Sequence, residues 1–461
     1  MFSFGAMLGM AFTLVYLALP AVSGALLGQR IEIFALPFYD ATKNVEDFLP
    51  AVPFMISFNL GFVIAGMVLP FWAMVGSFIG LCIILIANPF ILRPLGVLKG
   101  WQPNIGAIRT IQANTLDFYF SFGLGLVAAI ALIGFWQVGR ALMAARKGTS
   151  NSGLDWKALT NPPAGRGDFS LWIAAGIYMT TMCCTIALAY GLLHWAHTQN
   201  PLANSDITWK LLGVFVFYGF VYTPVVSYVS ARMEGIVGQY VQIPFVREAT
   251  FILSGYQGTA IWFTPFPAHN YGAQVLYFRT TELTGTSFRS MIKAEAFVLP
   301  IAIISLIVFS QMIWSIAPVP SDAFPFTQTI WELNAYQQGL LVSSTTPEGA
   351  HGLFREAFKP QFLFLGLGTA VGLYALLTFM GLPILLVYGL IRGLDQSNPS
   401  VILPQFIGAM LGRYYFSKRF GQMWQQYIIV FYAGFAAGTG LVMMLSLGIV
   451  FMSKAVIQSA Y

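Results

Sequence analysis

IWFTPFPAHNYGAQVLYFRTTELTG, residues 261–285, interrupts a chain that is otherwise strongly apolar. Pro265 and Pro267 each lack a backbone N–H, so one regular helix cannot run through them. A histidine, an asparagine, an arginine and a glutamate follow the two prolines. Backbone that leaves the helical conformation inside a membrane must find hydrogen-bond partners within the protein or in a water-filled cavity. The stretch therefore predicts broken helices that enclose polar groups.

The composition of the whole chain indicates a membrane protein. Of the 461 residues, 57% are hydrophobic and only 9% are charged, with a mean hydropathy of +0.73. Soluble domains carry about 25% charged residues. We predict an all-α, polytopic transmembrane helical bundle of about ten to twelve crossings with broken or re-entrant helices, forming a single integral membrane domain over residues 1–461. The apolar runs lie near residues 4–28, 52–69, 71–92, 117–140, 170–196, 208–230, 294–316, 361–391 and 424–452.

Lysine and arginine predict the orientation of the helices, because short cytoplasmic loops carry more of them than outer loops do. Segments 140–168 and 391–420 are rich in basic residues and are predicted to be cytoplasmic. Segment 317–360 has two basic residues against four acidic ones and is predicted to be a non-cytoplasmic loop. The net charge of +6 fits loops that face anionic lipid, and the scattered basic residues do not indicate a nucleic-acid partner.

Pairs of glycines four residues apart indicate close contact between helices, because glycine lets two backbones approach each other. The plain meaning of such pairs is packing within the chain, and dimerisation of two copies through them is the alternative. The pairs are Gly5/Gly9, Gly76/Gly80, Gly368/Gly372 and Gly434/Gly438.

Residues 232–293 form a polar block whose charges come as near neighbours of opposite sign. One interpretation is a cytoplasmic loop with surface ion pairs, each worth about 0–1 kcal/mol. The other is a set of re-entrant or discontinuous helices that line a cavity at the interface of two repeats. Apolar residues between the charges, among them Phe251 and Ile261, favour the cavity because a solvated loop has no need of them. The opposite charges are Arg232 with Glu234, Arg247 with Glu248, Arg279 with Glu282, and Lys293 with Glu295.

Several residues of this block carry chemistry that a solute path would use. His269 is a proton relay if it titrates near neutrality, and otherwise a hydrogen-bonded structural residue. Glu234, Glu248 and Glu282 are candidate proton carriers, although carboxylates paired with arginine tend to stay ionised. The aromatic candidates, which either stack on a substrate or pack against neighbours, are Trp262 and Tyr271.

Six segments of the chain carry a resemblance to a known family: SARMEGIVGQ (230–239), IPFVREATFILSGYQG (243–258), IWFTPFPAHNYG (261–272), FRTTELTGTSF (278–288), IAPVPSDAFPFTQTIWE (316–332) and RYYFSKRFGQMWQQYIIVFYAGFAAGTGL (413–441). They resemble the oligopeptide transporter family, most closely its shorter-loop prokaryotic members. The resemblance implies a two-repeat helical bundle in a prokaryotic cytoplasmic (inner) membrane that takes up small peptides or peptide-like metal chelates with protons. Because the matching segments look like the later part of a longer transporter, some early spans are expected to be absent or carried by another polypeptide.

Carried over onto this chain, the resemblance implies a substrate and proton path formed by Glu234, Gln239, Arg247, Glu248, Trp262, His269, Asn270, Tyr271, Arg279 and Glu282. The chain contains no Walker A loop, nucleophile elbow, dinucleotide fingerprint or haem motif, so we predict neither an enzyme nor a cofactor nor a metal site. The alternative function is a non-transporting scaffold subunit of a larger membrane complex. The expected partners are a small-molecule or peptide solute, the lipid bilayer, and either further copies of the chain or other membrane subunits.

Overall fold

The computed structural model describes residues 1–148, 160–161, 167–199, 205–237, 246–316, 318–320, 325–346, 353–394, 399–421 and 423–458. Within these ranges the chain is almost entirely helical. The strands found there are β1 (Tyr39–Asp40) and β2 (Met55–Ile56), which form one short antiparallel pair. The all-α prediction is confirmed.

The helices follow one another with few long connections, and several contain a π-helical turn. In chain order they are α1 (Phe2–Thr13, π-helical Leu14–Ala18, Leu19–Leu27), α2 (Thr42–Val45), α3 (Leu60–Val68), α4 (Phe71–Ala87, π-helical Asn88–Leu92), α5 (Gly106–Asn114, π-helical Thr115–Tyr119, Phe120–Gly148), α6 (Leu171–Gln199), α7 (Ser205–Phe217, π-helical Tyr218–Tyr222, Thr223–Val237), α8 (Val246–Leu253), α9 (Gln274–Leu283), α10 (Phe288–Ile316), α11 (Pro325–Ser343), α12 (Leu353–Ala357), α13 (Pro360–Phe379), α14 (Ile384–Leu394), α15 (Pro399–Met410, π-helical Leu411–Phe416, Ser417–Phe420) and α16 (Met423–Gln458). A 3₁₀ turn, Ala260–Phe263, lies between α8 and α9.

Packing divides the chain into two compact units. Unit 1 comprises Met1–Leu126, Ile316–Tyr336 and Ala357–Tyr461, and unit 2 comprises Val127–Ser315 and Gln337–Glu356. The division does not test whether residues 1–461 form a single membrane domain, and that statement stays a prediction.

Eight helices of the described residues are long and apolar enough to cross a membrane, namely α1, α4, α5, α6, α7, α10, α13 and α16. The polytopic membrane architecture is therefore confirmed. The number is smaller than the expected ten to twelve or so: two further apolar stretches form the short helices α3 and α14, and α15, which continues through its π-helical turn to Phe420, is not among the eight. The nine residues of α3 span about 14 Å, roughly half of the hydrocarbon thickness of a bilayer.

Several breaks in the helices lie at prolines and glycines. α3 ends at Val68, and an extended Pro70 separates it from α4. The π-helical turn of α7 ends just before Pro224, whose missing N–H removes one helical hydrogen bond. Gly381, with φ +69°, lies between α13 and α14. Pro300, by contrast, lies inside the continuous helix α10.

The segment predicted as a long outer loop, 317–360, is largely helical where the structure describes it. Its central part forms the 19-residue helix α11. The sequence WELNAYQQGL within α11 is rich in good helix formers, a signal that the charge balance of the segment does not reveal. The side of the membrane on which the segment lies stays a prediction.

Helix pairs of unit 1 pack backbone against backbone at glycines. A β-carbon added at Gly408 would lie 1.8 Å from the carbonyl oxygen of Val63. Such a distance is impossible between real atoms, so the close approach requires glycine. The prediction of close packing within the chain is confirmed for Gly5/Gly9, Gly76/Gly80 and Gly434/Gly438. It is wrong for Gly368/Gly372, where an added β-carbon would meet nothing within 4 Å.

These helix pairs are arranged as two copies of one four-helix repeat. α1 packs on α16, α3 on α15, α4 on α14 and α5 on α13, so the first helix meets the last and the order reverses inward. This order is expected when an approximate two-fold axis relates one repeat, α1–α3–α4–α5, to the other, α13–α14–α15–α16. Every contact between the repeats then has a counterpart. The glycine contacts occur as such counterparts: Gly5 on Phe431 with Gly366 on Phe122, Gly434 on Phe2 with Gly125 on Leu363, Gly76 on Leu386 with Gly408 on Val63, and Gly389 on Ala73 with Gly66 on Gln405.

Candidate functional site

In unit 2, residues 264–272 lie without helical structure along one face of α7, and we call them the docked segment. Thr223, Ser227, Ser230 and Glu234 follow one another along α7 at steps of four, three and four residues. At 3.6 residues per turn, this spacing places all four side chains on the same face of the helix. The first three form what we call the hydroxyl face. The sequence analysis did not single them out, although the spacing is visible in it.

The hydroxyl face satisfies the backbone of the docked segment. The Thr223 hydroxyl donates to the carbonyl oxygen of Pro267 and accepts from the N–H of His269, both at 3.0 Å. The Ser227 hydroxyl accepts from the N–H of Tyr271, also at 3.0 Å. Within a membrane, irregular backbone requires hydrogen-bond partners from the protein or from enclosed water. The hydroxyl face supplies such partners. The prolines thus free backbone groups that α7 then binds.

The end of the docked segment is held by a side-chain contact and by a close approach. Asn270 donates through Nδ2 to the Ser230 hydroxyl at 3.0 Å, and its Oδ1 accepts from the N–H of Gly272 at 3.0 Å. A β-carbon added at Gly272 would lie 2.2 Å from the β-carbon of Ser230.

The apolar residues between the charges of the polar block fall into two groups. Phe251 and Ile261 are fully buried in a core with residues of α6 and α7. Leu253 and Phe263 are 85% and 79% exposed. Part of the apolar content therefore belongs to a packed core on one side of this block, and the cavity stays a prediction.

Trp262 belongs to this core. Its ring packs edge-on against Phe251 with centroids 5.4 Å apart, and its Nε1 donates to the Thr345 hydroxyl at 2.7 Å. Of the two interpretations for this residue, these contacts favour packing over stacking on a substrate.

Replacement of Trp262 by phenylalanine is expected to lower the free energy of unfolding by about 1 kcal/mol, because it removes one hydrogen bond and keeps most of the packing. Thermal unfolding of the purified protein in detergent measures the change. A Trp262→Phe variant with wild-type stability and abolished solute uptake would contradict the packing role and place the indole against the substrate.

Two ion pairs of the polar block are confirmed and lie at the surface of unit 2. Arg247 contacts Glu248 at 3.1 Å, and Arg279 contacts Glu282 at 2.7 Å. The two arginine side chains are 51% and 61% exposed. This exposure fits the surface ion-pair interpretation, in which each pair contributes at most about 1 kcal/mol. A role for either pair in a solute path stays a prediction.

Glu234 differs from the other glutamates of the block. Its side chain is buried, with 7% of the residue exposed, and its Oε2 has no hydrogen-bond partner among the described residues. The side chain of Arg232, its expected partner, and the whole of Gln239 lie outside the described part of the chain. Glu295, expected near Lys293, accepts a hydrogen bond from the Tyr277 hydroxyl at 2.9 Å.

Unit 1 holds polar contacts that the sequence analysis missed. Arg392 of α14 donates to Oε1 of Gln405 on α15 at 2.8 Å, close to the centre of the two repeats. The carbonyl oxygen of Ala51 accepts from the amides of Asn88 at 2.9 Å and Asn114 at 2.8 Å, and both asparagines are fully buried. Asn88 and Arg392 lie in helices that are otherwise strongly apolar, which is a signal visible in the sequence, whereas Asn114 lies in the polar first part of α5.

Unit 1 also has an open cleft of about 350 Å³ beside the N-terminal part of α5. Arg109 is part of its lining and pairs with Glu332 at 3.4 Å, with both side chains more than half exposed. The full lining is Gly100, Gln102, Ile105, Arg109, Gln112, Ala113, Leu116 and Tyr336.

No protein family, curated protein or solved structure matches this chain. Function is therefore inferred from the chain's own geometry, together with the segments quoted above.

Proposed function

We propose that the protein is a proton-coupled secondary transporter of small peptides or peptide-like solutes, including metal chelates, or the larger part of such a transporter. The observation that supports this class best is the pairing of two four-helix repeats in unit 1, each of which contributes a short helix, α3 or α14, to the contacts between them. Secondary transporters are commonly built from such repeats and place discontinuous helices at the repeat interface. A purely structural bundle has no need of this arrangement.

The docked segment adds a second feature of transporters. It is irregular backbone that a transmembrane helix satisfies through hydroxyl groups, and it carries the polar side chains of His269, Asn270 and Tyr271. Hydrogen bonds of this kind, each worth about 1 kcal/mol net, break and re-form at small cost. The class of solute, peptide-like compounds, rests on the resemblance to the oligopeptide transporter family.

Uptake into proteoliposomes tests the proposal. Vesicles that contain the full chain are expected to accumulate one or more members of a panel of short peptides and peptide–metal chelates when an inward proton gradient is imposed. A protonophore is expected to abolish the accumulation, and protein-free vesicles are the control. Accumulation that is equal with and without the protein, for every solute tested, contradicts the proposal.

A scaffold subunit is the second candidate, and one observation favours it. The membrane-crossing part of α10, Phe288–Ser315, has none of its apolar window buried within the chain, whereas the other candidate spans each bury part of theirs. Such a helix faces either lipid or other subunits. Stoichiometric copurification with enzyme or electron-transfer subunits, without any solute-dependent rise in thermal stability, supports the scaffold over the transporter.

A further inference from the structure

The polar face of α7 ends at the carboxyl group of Glu234, which is buried. Ser230, one turn before Glu234, binds Asn270 of the docked segment. Glu234 itself is buried, and its Oε2 has no hydrogen-bond partner in the described residues. Glu248 and Glu282 are each bound to an arginine and are more exposed. Burial of a carboxylate is unfavourable unless a cation or a proton neutralises it.

We infer that Glu234 is a cation-binding site, which takes a proton or a small monovalent cation such as Na⁺. This cation is the coupling ion of transport only if the proposed transport function holds. With the cation bound, the carboxyl is neutral and tolerates the buried position seen here.

The chemistry of this step is a simple exchange. A proton forms one O–H bond on the carboxylate and later returns to water, whereas a metal cation exchanges water for the carboxylate oxygens and neighbouring oxygen donors. Oxygen ligands suit both. Among the described residues, the titratable groups on the elements beside Glu234 are His269 and Tyr271 of the docked segment and Tyr277, Arg279 and Glu282 of α9; Arg232 lies two residues before Glu234 on α7 itself. The group that causes a pH effect must therefore be identified by substitution of single residues.

Thermal unfolding of the full chain in detergent tests the inference. The unfolding temperature is measured from about pH 5 to about pH 8, the range in which a histidine also titrates, and with NaCl against choline chloride at constant ionic strength. The wild type is expected to respond to pH or to Na⁺, and Glu234→Gln to lose that response. Dependence on pH alone identifies the proton, and dependence on Na⁺ identifies the metal cation.

Two variants serve as controls. Glu332→Gln, which removes an exposed carboxylate from unit 1, and His269→Gln, which removes the nearby imidazole, are both expected to keep the wild-type response. A response that survives in Glu234→Gln, disappears in His269→Gln, or is absent from the wild type overturns the inference. The measurement needs no solute, so it tests the cation site independently of the proposed transport function.

Chemical labelling of the wild type covers the case in which Glu234→Gln does not fold. Dicyclohexylcarbodiimide modifies protonated carboxyl groups in apolar surroundings, and peptide mass mapping locates the modified residue. Glu234 is expected to react, and raised pH or added Na⁺ to slow the reaction. A chain that is labelled elsewhere and not at Glu234, or at Glu234 irrespective of both cations, overturns the inference.

Discussion

Leucine in place of Gly408 is expected to prevent unit 1 from folding. The β-carbon alone would lie 1.8 Å from the carbonyl oxygen of Val63, so α15 must move away from α3 along the length of their contact. Overpacking in a core costs about 1–3 kcal/mol when side chains can adjust, and more when the obstacle is backbone. Proteins are stable by only about 5–15 kcal/mol, so loss of this helix pair is sufficient to unfold the unit.

Size-exclusion chromatography and thermal unfolding in detergent measure this effect. The matched control is Gly440→Leu on α16, where an added β-carbon meets nothing within 4 Å. If the two repeats are equivalent, Gly76→Leu must behave like Gly408→Leu, because a β-carbon added at Gly76 would lie 2.3 Å from the carbonyl oxygen of Leu386 in the counterpart contact. A Gly408→Leu variant that unfolds at the wild-type temperature contradicts the packing described for α3 and α15.

The fold class could be predicted from composition, but the partners of the helices could not. A bilayer requires long apolar helices, so the apolar runs alone predict their existence. Because lipid-exposed helices are apolar on all sides, their sequences do not mark the face that meets a neighbour. Glycine spacing marks close contact without identifying the partner, and it was wrong for Gly368/Gly372. The pairing of α1 with α16, more than 400 residues along the chain, became visible only in three dimensions.

The candidate site illustrates the same limit on a smaller scale. The polar block was recognised by its charges, yet Arg247 and Arg279 lie at the surface with their carboxylate neighbours. The contacts that position the docked segment come from uncharged hydroxyls, Thr223 and Ser227, which do not stand out in a membrane helix. Glu234 was paired by sequence proximity with Arg232. That pairing stays a prediction, and the helical period also places Glu234 on the side of α7 that carries the hydroxyl face.

Valine in place of Gly272 is expected to release the docked segment from α7 and to abolish solute uptake. Its β-carbon would lie 2.2 Å from the β-carbon of Ser230, and the Ala231 backbone nitrogen is 2.8 Å away from the same position. Displacement of residue 272 also breaks its bond to Asn270 and pulls the N–H of Tyr271 away from Ser227. Hydrogen–deuterium exchange of residues 264–272 measures the release directly, because amides bound to hydroxyls exchange slowly and solvated ones exchange fast.

The control for this variant is Gly213→Val, a glycine of α7 with nothing within 4 Å of an added β-carbon. It adds the same side chain to α7, the helix that binds the docked segment, and is expected to leave both exchange and uptake unchanged. If Gly272→Val accelerates exchange only within 264–272 while the rest of unit 2 keeps its protection, the segment moves as a unit against a stable helix. Unchanged protection of the His269 and Tyr271 amides would mean that the hydroxyl face does not hold the segment. Accelerated exchange with normal uptake would mean that transport does not require docking, and that the role of the segment is structural only.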